Sequence, residues 1–271
     1  MFEFHISTDS EAISKIVSRL IKQGVRQFVA VGGDGTFHQL INAILSQQSV
    51  SSTDFTVGII PVGTGNDWIK TYGIDNTINK SINVIRKGNT IFQDVGLVKS
   101  EKSSHYFINM AGLGLTPFVV QQYQAWGSRL KFGSLNYLIT TAICLFKYRG
   151  AVYHLSGEAD FEFSGKLLSF NMGIGQYCGG GIRLAPRAVT DDRQFDFTLI
   201  HPIAIWRILV NIAKLFNGKI LNHPKVDYYQ GIAVSIDADE AFQIEADGEL
   251  IPKAKAFTIS LLPQCLSVLV P

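Results

Sequence analysis

The chain of 271 residues is long enough for two domains of ordinary size, and its composition, 46% hydrophobic and 17% charged, is that of a folded protein. A formal net charge of +2 and the lack of a dense Lys/Arg cluster exclude an electrostatic case for nucleic-acid binding. Three widely spaced cysteines indicate reduced thiols, the longest apolar run is about half of the ~20 residues that span a membrane, and no signal peptide is evident. We therefore expect a cytoplasmic protein without a transmembrane segment.

Up to about residue 92 the sequence alternates between helical and strand patterns. Apolar residues at helical spacing predict a helix over Glu11–Gly24, and the segment RQFVAV predicts a buried strand that leads into the glycine-rich loop GGDGT and a second helix. The segment FTVGII predicts another strand, followed by a second glycine loop and a helix in VGTGNDWIKTYG, and TINKSINVIRKG predicts a further helix. Repeated units of this kind predict a parallel sheet covered by helices.

Beyond residue 92 the pattern changes to short alternating segments separated by turns, which are typical of an antiparallel sandwich or barrel. Two helical stretches, around Ser134–Lys147 and Ile203–Asn217, interrupt them. We place the domain boundary near Phe92, with residues 1–92 in the first domain and 93–265 in the second.

The first glycine loop, Gly32–Thr36, is suited to an anion because backbone N–H groups at a helix N-terminus point outward and glycine lets a phosphate approach closely. It is not a Walker A loop, since the motif's lysine is missing. Asp34 would repel a bare phosphate, so its presence favours Mg²⁺ or a positively charged or hydroxylic partner. A tight turn with an aspartate cap is the alternative.

The second loop, Pro61–Asp67, repeats this arrangement after another apolar strand. Loops that follow parallel strands open at the same edge of the sheet, where α/β proteins bind ligands. Asn66 and Asp67 are also compatible with a simple helix cap. Two glycine loops that each carry an aspartate favour a shared ligand site over two independent caps.

Two acidic segments in the second half are ambiguous by themselves. Glu249 follows an Asp-Gly pair that is typical of a hairpin turn. The spacing of Asp191, Asp192 and Asp196 is compatible with a metal-binding loop and equally with a plain turn.

Taken together, VGGDGTFHQLINAI, IPVGTGNDWIK, FQDVGLV, FINMAGLGL, NMGIGQYCGGGIRLAP and ADGEL resemble the diacylglycerol kinase catalytic-domain family in order and approximate spacing. The resemblance is strongest to its soluble bacterial lipid kinases, which are related to sphingosine kinases and more distantly to NAD kinases. It implies a three-layer α/β domain with a parallel sheet, a C-terminal antiparallel β-sandwich that receives the lipid, and ATP bound in the cleft between them. The last strand, residues 266–271, would return to the first domain.

The resemblance also assigns site residues. The nucleotide would be bound by two sets of loop residues: Gly32, Gly33, Asp34, Gly35 and Thr36, and Gly63, Thr64, Gly65 and Asn66. Asp34, Asp67 and Asp94 would form an acidic network around the phosphates and Mg²⁺, and Glu249 would be the catalytic base. A structural Mg²⁺ would be held by the carboxylate of Asp192 and the carbonyls of Val189 and Gln194.

The sequence departs from the family pattern in three places. No NPxSG loop with its preceding strand occurs, so either Met1 is a late start or one phosphate loop is lacking, and loss of that strand would expose an apolar sheet edge. His38 and Gln39 stand where the family usually has Asn and Glu. Arg193 replaces a glycine, which counts against the structural Mg²⁺ because arginine tolerates positive φ poorly.

The resulting hypothesis is an ATP- and Mg²⁺-dependent kinase that phosphorylates diacylglycerol at a membrane surface. A truncated or degenerate non-catalytic member, and a kinase for a sphingoid base, NAD or another hydroxyl, are the alternatives. The segment Ile203–Ile220 is compatible with a helix on an anionic membrane, but a core-packed helix with a few solvated lysines is the favoured interpretation. An uncovered sheet edge would favour a homodimer.

Overall fold

The computed structural model describes residues 3–7, 9–129, 136–158 and 161–271. The helices in these ranges are α1 (Ser10–Lys22), α2 (Asp34–Leu45), α3 (Asp67–Thr71), α4 (Ile78–Lys87), α5 (Leu115–Ala125), α6 (Asn136–Lys147) and α7 (Ile205–Phe216). The strands are β1 (Gln27–Gly32), β2 (Thr56–Pro61), β3 (Thr90–Lys99), β4 (Ser104–Phe107), β5 (Met110–Gly114), β6 (Ala151–Gly157), β7 (Glu162–Leu167), β8 (Ser169–Gly173), β9 (Phe195–Ile200), β10 (Val226–Gly231), β11 (Ala233–Phe242), β12 (Ile244–Ala246), β13 (Glu249–Leu250) and β14 (Ala254–Leu269). Ser134, at the start of one predicted helix, lies outside the described residues.

The first helix illustrates how the sequence sets the N-terminal elements. The backbone N–H of Ala12 donates to Asp9 Oδ1 over 2.8 Å, which caps α1, and Arg19 and Lys22 lie in its last turn, where cations complement the helix dipole. Its apolar stripe buries Val17 and Leu20 in the apolar core of the first domain, where α1 packs against α2. The predicted helix is confirmed.

The sheet of the α/β domain is mostly parallel. β1 pairs with β2 from Gln27↔Thr56 to Gly32↔Pro61, and the end of β14 continues the parallel arrangement beside β2. The predicted parallel sheet is confirmed for these three strands, and β3 joins it antiparallel to β14 along its whole length. Among the described residues β1 pairs only with β2 and is an edge strand, with Val31 57% exposed.

Strands β3 and β14 connect the two domains. They pair from Thr258↔Lys99 in the sandwich to Leu269↔Thr90 in the α/β domain, with a register shift between Leu262 and Leu266. At 10 and 16 residues they are longer than the short strands that the sequence pattern predicts. The boundary predicted at residue 92 therefore falls inside β3.

The second domain is a β-sandwich. A six-stranded antiparallel sheet in the order β10-β9-β8-β5-β12-β13 packs against the β6, β7, β11, β14, β3 and β4 part of the first sheet. The aromatic side chains of Phe107, Phe170, Phe195 and Phe257 are fully or almost fully buried between them. The predicted fold class, an α/β domain followed by an antiparallel sandwich, is confirmed.

Helices α5, α6 and α7 lie on the outer face of the six-stranded sheet, where a third apolar cluster includes Leu168, Ile182 and Ile200. Helices α6 and α7 correspond to the two predicted helical stretches, whereas α5 and β10 were not predicted. None of the helices in the described ranges has the length and apolar composition needed to span a bilayer.

Candidate functional site

The two glycine loops meet at the carboxyl ends of β1 and β2. The parallel register places Gly32 opposite Pro61, and the Val62 N–H donates to the Gly32 carbonyl over 2.9 Å. A Cβ on Gly63 would lie 2.5 Å from the Cα of Gly33, so the two loops are in backbone contact and leave no room for a side chain. The predicted nucleotide residues, including Gly35, Thr36, Thr64 and Gly65, are thereby brought together at one sheet edge.

Asp34 joins the two loops. Its carboxylate accepts the backbone N–H groups of Asp67 over 3.0 Å and Trp68 over 3.2 Å, so it caps α3 rather than its own helix. Burial raises the pKa of Asp34 above the usual range, and the neighbouring Asp67 carboxylate adds to this rise, while the two N–H donors oppose it. The sequence was compatible with an aspartate that associates with a metal or with a cap of a local turn. In the structure Asp34 instead caps α3, the helix that follows the second glycine loop.

Asp67 is held from both sides. One oxygen lies 2.6 Å from Lys70 Nζ, and the other accepts the Gly180 backbone N–H over 2.7 Å. The side chain of Asp67 is only 8% exposed, so this pair is a partly buried ion pair rather than a surface contact. Lys70 also donates to the Gly65 carbonyl over 2.8 Å and so supplies a positive charge beside the second loop.

Asn66 is buried between the loops in the left-handed conformation, with φ 47°. Its amide nitrogen donates to the Gly63 carbonyl over 2.8 Å and to Asn76 Oδ1 over 2.6 Å. Its Oδ1 atom has no partner among the described residues and lies against the Gly33–Gly63 junction. An unpaired buried acceptor at this position fits a site that a hydrogen-bonding ligand completes.

The turn between β12 and β13 carries Glu249 into the cleft. Asp247, at φ 49°, accepts the backbone N–H groups of Ile108, Asn109 and Met110 over 2.9–3.0 Å. His38 Nδ1 lies 3.2 Å from Asp247 Oδ2, so α2 also contacts the turn. Glu249 is exposed, and its Oε1 lies 3.9 Å from the position of a Cβ on Gly35.

Asp247 and His38 were missed as site residues by sequence reasoning. An aspartate directly before glycine in a hairpin is the available signal, because such a residue tolerates positive φ, but it does not reveal the three N–H donors. These donors fix the turn, and the turn positions Glu249 above the first glycine loop.

The structure does not bring Asp94 into contact with Asp34 or Asp67. Its fully buried carboxylate accepts the backbone N–H groups of Arg193 and Gln264, each over 2.7 Å. These bonds join β3 to the register shift of β14 and to the 191–194 turn. Its place in the catalytic network stays a prediction.

The turn at residues 191–194 was predicted to hold the structural Mg²⁺. Its Arg193 adopts the left-handed conformation, with φ 66°, where the family has a glycine. Asp192 Oδ1 accepts the Gln194 backbone N–H over 3.0 Å, and Val189 is 48% exposed. Burial raises the pKa of Asp192, and the nearby Asp191 carboxylate adds to the rise. Among the described residues no group of three His, Cys, Asp or Glu side chains is placed to hold a metal, so the structural Mg²⁺ site stays a prediction.

A second feature of the site is an apolar cavity under α5, α6 and α7. Its volume is about 120 Å³. Its walls are mostly aliphatic and aromatic side chains, among them Leu115, Val119, Tyr137, Leu145, Ile182 and Leu215. Mostly apolar walls with a few polar groups are typical of sites for organic ligands.

The segment Gly179–Gly181 separates this cavity from the acidic cleft. All three glycines have positive φ, between 56° and 109°. Gly179 lines the cavity and packs on Tyr137, while the N–H of the next residue donates to Asp67. This backbone segment therefore contacts both the cavity and the Asp67 carboxylate.

Polar groups converge near the inner end of the cavity. Thr116 Oγ1, Glu245 Oε1 and Asn171 Oδ1 all approach the position of a Cβ on Gly112. Thr116 Oγ1 and Asn171 Nδ2 are buried without a partner among the described residues. Burial raises the pKa of Glu245 to about 8, with the Asp247 charge as a smaller cause, so its carboxyl group is mostly protonated at neutral pH.

The cleft therefore suits a polyanionic ligand on one side and an apolar ligand on the other. The touching glycine loops and Lys70 fit nucleotide phosphates, and the unpaired Asn66 oxygen fits a hydrogen-bond donor of the ligand, such as a hydroxyl or amino group. Mg²⁺ bound to a nucleotide keeps phosphate and water ligands and needs only one or two protein carboxylates. The carboxylates of Asp34 and Asp67 beside the loops are therefore suited to such an ion as well.

Two family comparisons agree with this division of the chain. Residues 1–98 match the family described as "Diacylglycerol kinase catalytic domain". Residues 117–270, more than half of the chain, match "YegS C-terminal NAD kinase beta sandwich-like domain".

Relatives and solved structures resemble the whole chain. The diacylglycerol kinase of Staphylococcus saprophyticus is 28% identical over 234 residues, which are 86% of this chain and 73% of that protein. The "Probable lipid kinase YegS-like" of Alcanivorax borkumensis is 25% identical over 264 residues, 95% of this chain and 83% of that protein. A crystal structure of a diacylglycerol kinase from Bacillus anthracis superimposes with a TM-score of 0.73 at 18% identity, covering 99% of this chain and 84% of that one, and shares its fold.

Proposed function

The chain belongs to the lipid kinase family that these two domains define, and we propose that its acceptor is diacylglycerol. In this proposal ATP supplies the phosphoryl group, phosphatidic acid is the product, and the reaction takes place at a cytoplasmic membrane surface to which the protein binds transiently.

One observation carries the choice of acceptor: the apolar cavity lies directly behind the acidic cleft. Its wall toward the cleft is the Gly179–Gly181 segment, whose central N–H donates to Asp67. A lipid whose acyl chain occupies the cavity would reach the cleft with its polar end. A dinucleotide such as NAD has no apolar part to fill such walls, so the lining favours a lipid over NAD.

The chain's own residues then have distinct roles. The glycine loops and Lys70 hold the nucleotide, and bound Mg²⁺ would neutralise charge on its phosphates. Glu249 accepts the proton of the lipid hydroxyl as the hydroxyl oxygen bonds to the γ-phosphorus and the bond to the β–γ bridging oxygen breaks, which releases ADP. Asp247 fixes the turn that carries Glu249, and Asp34 fixes the two loops relative to each other.

The test is phosphoryl transfer from radiolabelled ATP to diacylglycerol in mixed micelles with Mg²⁺. Removal of the base in Glu249→Gln should lower kcat by ~10²–10⁴-fold while ATP affinity is unchanged. Glu240→Gln is the matched control, because Glu240 is an exposed carboxylate of the same domain on β11.

Three outcomes would contradict the proposal. Loss of ATP binding in Glu249→Gln would remove Glu249 from the role of base. Product formed only from a sphingoid base or from NAD would change the acceptor. Bound ATP without transfer to any of the three would favour a non-catalytic member of the family.

A further inference from the structure

Acidic residues are absent from the sequence that forms the helical layer of the sandwich domain. The two longest stretches without Asp or Glu are Lys102–Gly157 and Phe197–Val226, and they contain α5, α6 and α7. Nine of the 24 Lys and Arg residues lie in them, whereas all 22 acidic residues lie elsewhere. A chain that is nearly neutral as a whole therefore has a helical layer that is built only from cationic and uncharged residues.

Large apolar side chains project from the same helices into solvent. On α7 Trp206 is 62% exposed and Phe216 is 39% exposed, and on α6 Phe146 is 52% exposed. The opposite side of α7 is already used, since Ile208 and Leu215 line the cavity. Helix α7 is thus apolar on two sides, and the folding of this chain explains only one of them.

Two cationic side chains and a histidine line one part of the cavity. Arg207, Lys214 and His223 are among its lining residues, and the Arg207 guanidinium stacks 5.2 Å from the centre of the Trp206 ring. Burial lowers the pKa of His223, and the charges of Lys214 and Arg207 lower it further, which places the three groups close together. Lys219 and Lys225 follow in the next turns and are exposed.

Aromatic side chains beside lysine and arginine on one helix face are the features by which helices lie in the interface of an anionic bilayer. A second copy of the chain is a poorer occupant, because a two-fold contact through this layer would set cations against cations. Helix α4 also combines exposed Ile78 with lysines, but the cavity does not open there.

We infer that the outer faces of α6 and α7 form the surface by which the protein docks on a bilayer of anionic phospholipid, with the cavity mouth turned toward the lipid. This rests on the proposed function, because it names the membrane from which the acceptor would enter the cavity. The arrangement would let an acyl chain pass from bilayer to cavity without crossing water.

The experiment is sedimentation with vesicles, which requires no catalysis. The wild-type chain should bind vesicles of phosphatidylcholine with about one third phosphatidylglycerol, should bind pure phosphatidylcholine at least tenfold more weakly, and should be released by about 0.5 M salt. Trp206→Ala with Phe216→Ala should weaken binding about tenfold or more, and Lys219→Gln with Lys225→Gln about fivefold for each lysine.

Matched controls come from the α/β domain. Ile78→Ala and the pair Lys22→Gln and Lys87→Gln remove the same kinds of side chain from exposed positions and should leave vesicle binding unchanged. A water-soluble short-chain diacylglycerol should be phosphorylated equally by the wild type and by the Trp206 and Lys219 variants, because these residues do not line the cavity.

Each result decides one claim. Equal binding to neutral vesicles, equal losses in the control variants, or a solution dimer that the Trp206 variant dissociates would overturn the docking surface. Failure of the wild type to phosphorylate the short-chain lipid while it still binds anionic vesicles would overturn the proposed function and leave the docking surface in place.

Discussion

The two sides of the cleft differ in how their polar groups are held, although the nucleotide side also keeps one buried atom, Asn66 Oδ1, without a partner among the described residues. On the nucleotide side the carboxylates of Asp34, Asp67 and Asp247 each accept at least two hydrogen bonds or ion-pair contacts. On the acceptor side Thr116 Oγ1 and Asn171 Nδ2 are buried without a partner among the described residues, beside a cavity with apolar walls.

The nucleotide half of the site is therefore the preformed one. A carboxylate that holds backbone N–H groups cannot move without leaving those donors unpaired, which costs ~1–3 kcal/mol each, so the glycine loops and the Glu249 turn are held in place. On the acceptor side the unpaired polar atoms lie beside an apolar cavity instead of between anchored loops, and a bound molecule would complete them.

The largest expected effect tests the rigidity of the nucleotide side. In Gly63→Ala the new Cβ would lie 2.5 Å from the Gly33 Cα, a backbone atom that no side-chain rotation can remove. The loops must separate, and we expect ATP affinity to fall about a hundredfold and stability to fall by ~1–3 kcal/mol, measured by calorimetric titration and thermal unfolding.

Gly165→Ala is the control for this change. Its Cβ would meet only the end of the Phe163 ring, at 3.2 Å, on an edge strand far along the chain from the loops. It should bind ATP as the wild type does. Normal ATP affinity in Gly63→Ala would mean that the touching loops do not form the nucleotide cradle.

The nucleotide side was also the side that the sequence predicted best. GGDGT and GTGND each follow a strand. Loops after neighbouring parallel strands converge at one edge of the sheet, so their proximity could be predicted without knowledge of the contacts between their side chains. The family resemblance and the two-domain fold class are confirmed for the same reason, because motifs and strand periodicity extend over nearly the whole chain.

Contacts between distant segments were not predictable. The cap from Asp34 to α3, the anchoring of Asp247 and the placement of Asp94 on the 191–194 turn depend on three-dimensional register rather than on local pattern. The cavity is lined by apolar residues from five or more separate segments of the chain. In the sequence these residues cannot be distinguished from ordinary core residues, so the cavity was not predicted.

Glu245 lies where the two sides of the cleft meet and gives the next prediction. Burial raises its pKa from 4.5 to about 8, so the folded state keeps a proton that the unfolded state releases above about pH 4.5. Stability should therefore fall as pH rises between these values, by ~2 kcal/mol from pH 6.0 to 7.5 at 1.36 kcal/mol per unit.

Glu245→Gln mimics the protonated carboxyl group and should remove that part of the slope in denaturant unfolding at the two pH values. Glu240→Gln, at an exposed position, should keep the wild-type slope. Parallel slopes in all three proteins would show that Glu245 is ionised in the folded state and that the inner end of the cavity is wetter than its contacts indicate.

The smallest expected effect tests the open side. Ile208→Trp places a larger side chain on α7 where Ile208 lines the cavity, and should raise KM for long-chain diacylglycerol about tenfold, the equivalent of roughly two methylene groups displaced from apolar contact. The KM for ATP and turnover of a short-chain acceptor should not change, because Ile208 lines the apolar cavity, whose lining residues do not include those of the glycine loops. Ile13→Trp, at a partly buried position on α1, is the matched control and should leave KM for both substrates unchanged. A chain-length-independent rise in KM would instead show that α7 acts on the cleft as a whole, and the contrast between a preformed side and an open side would then no longer hold.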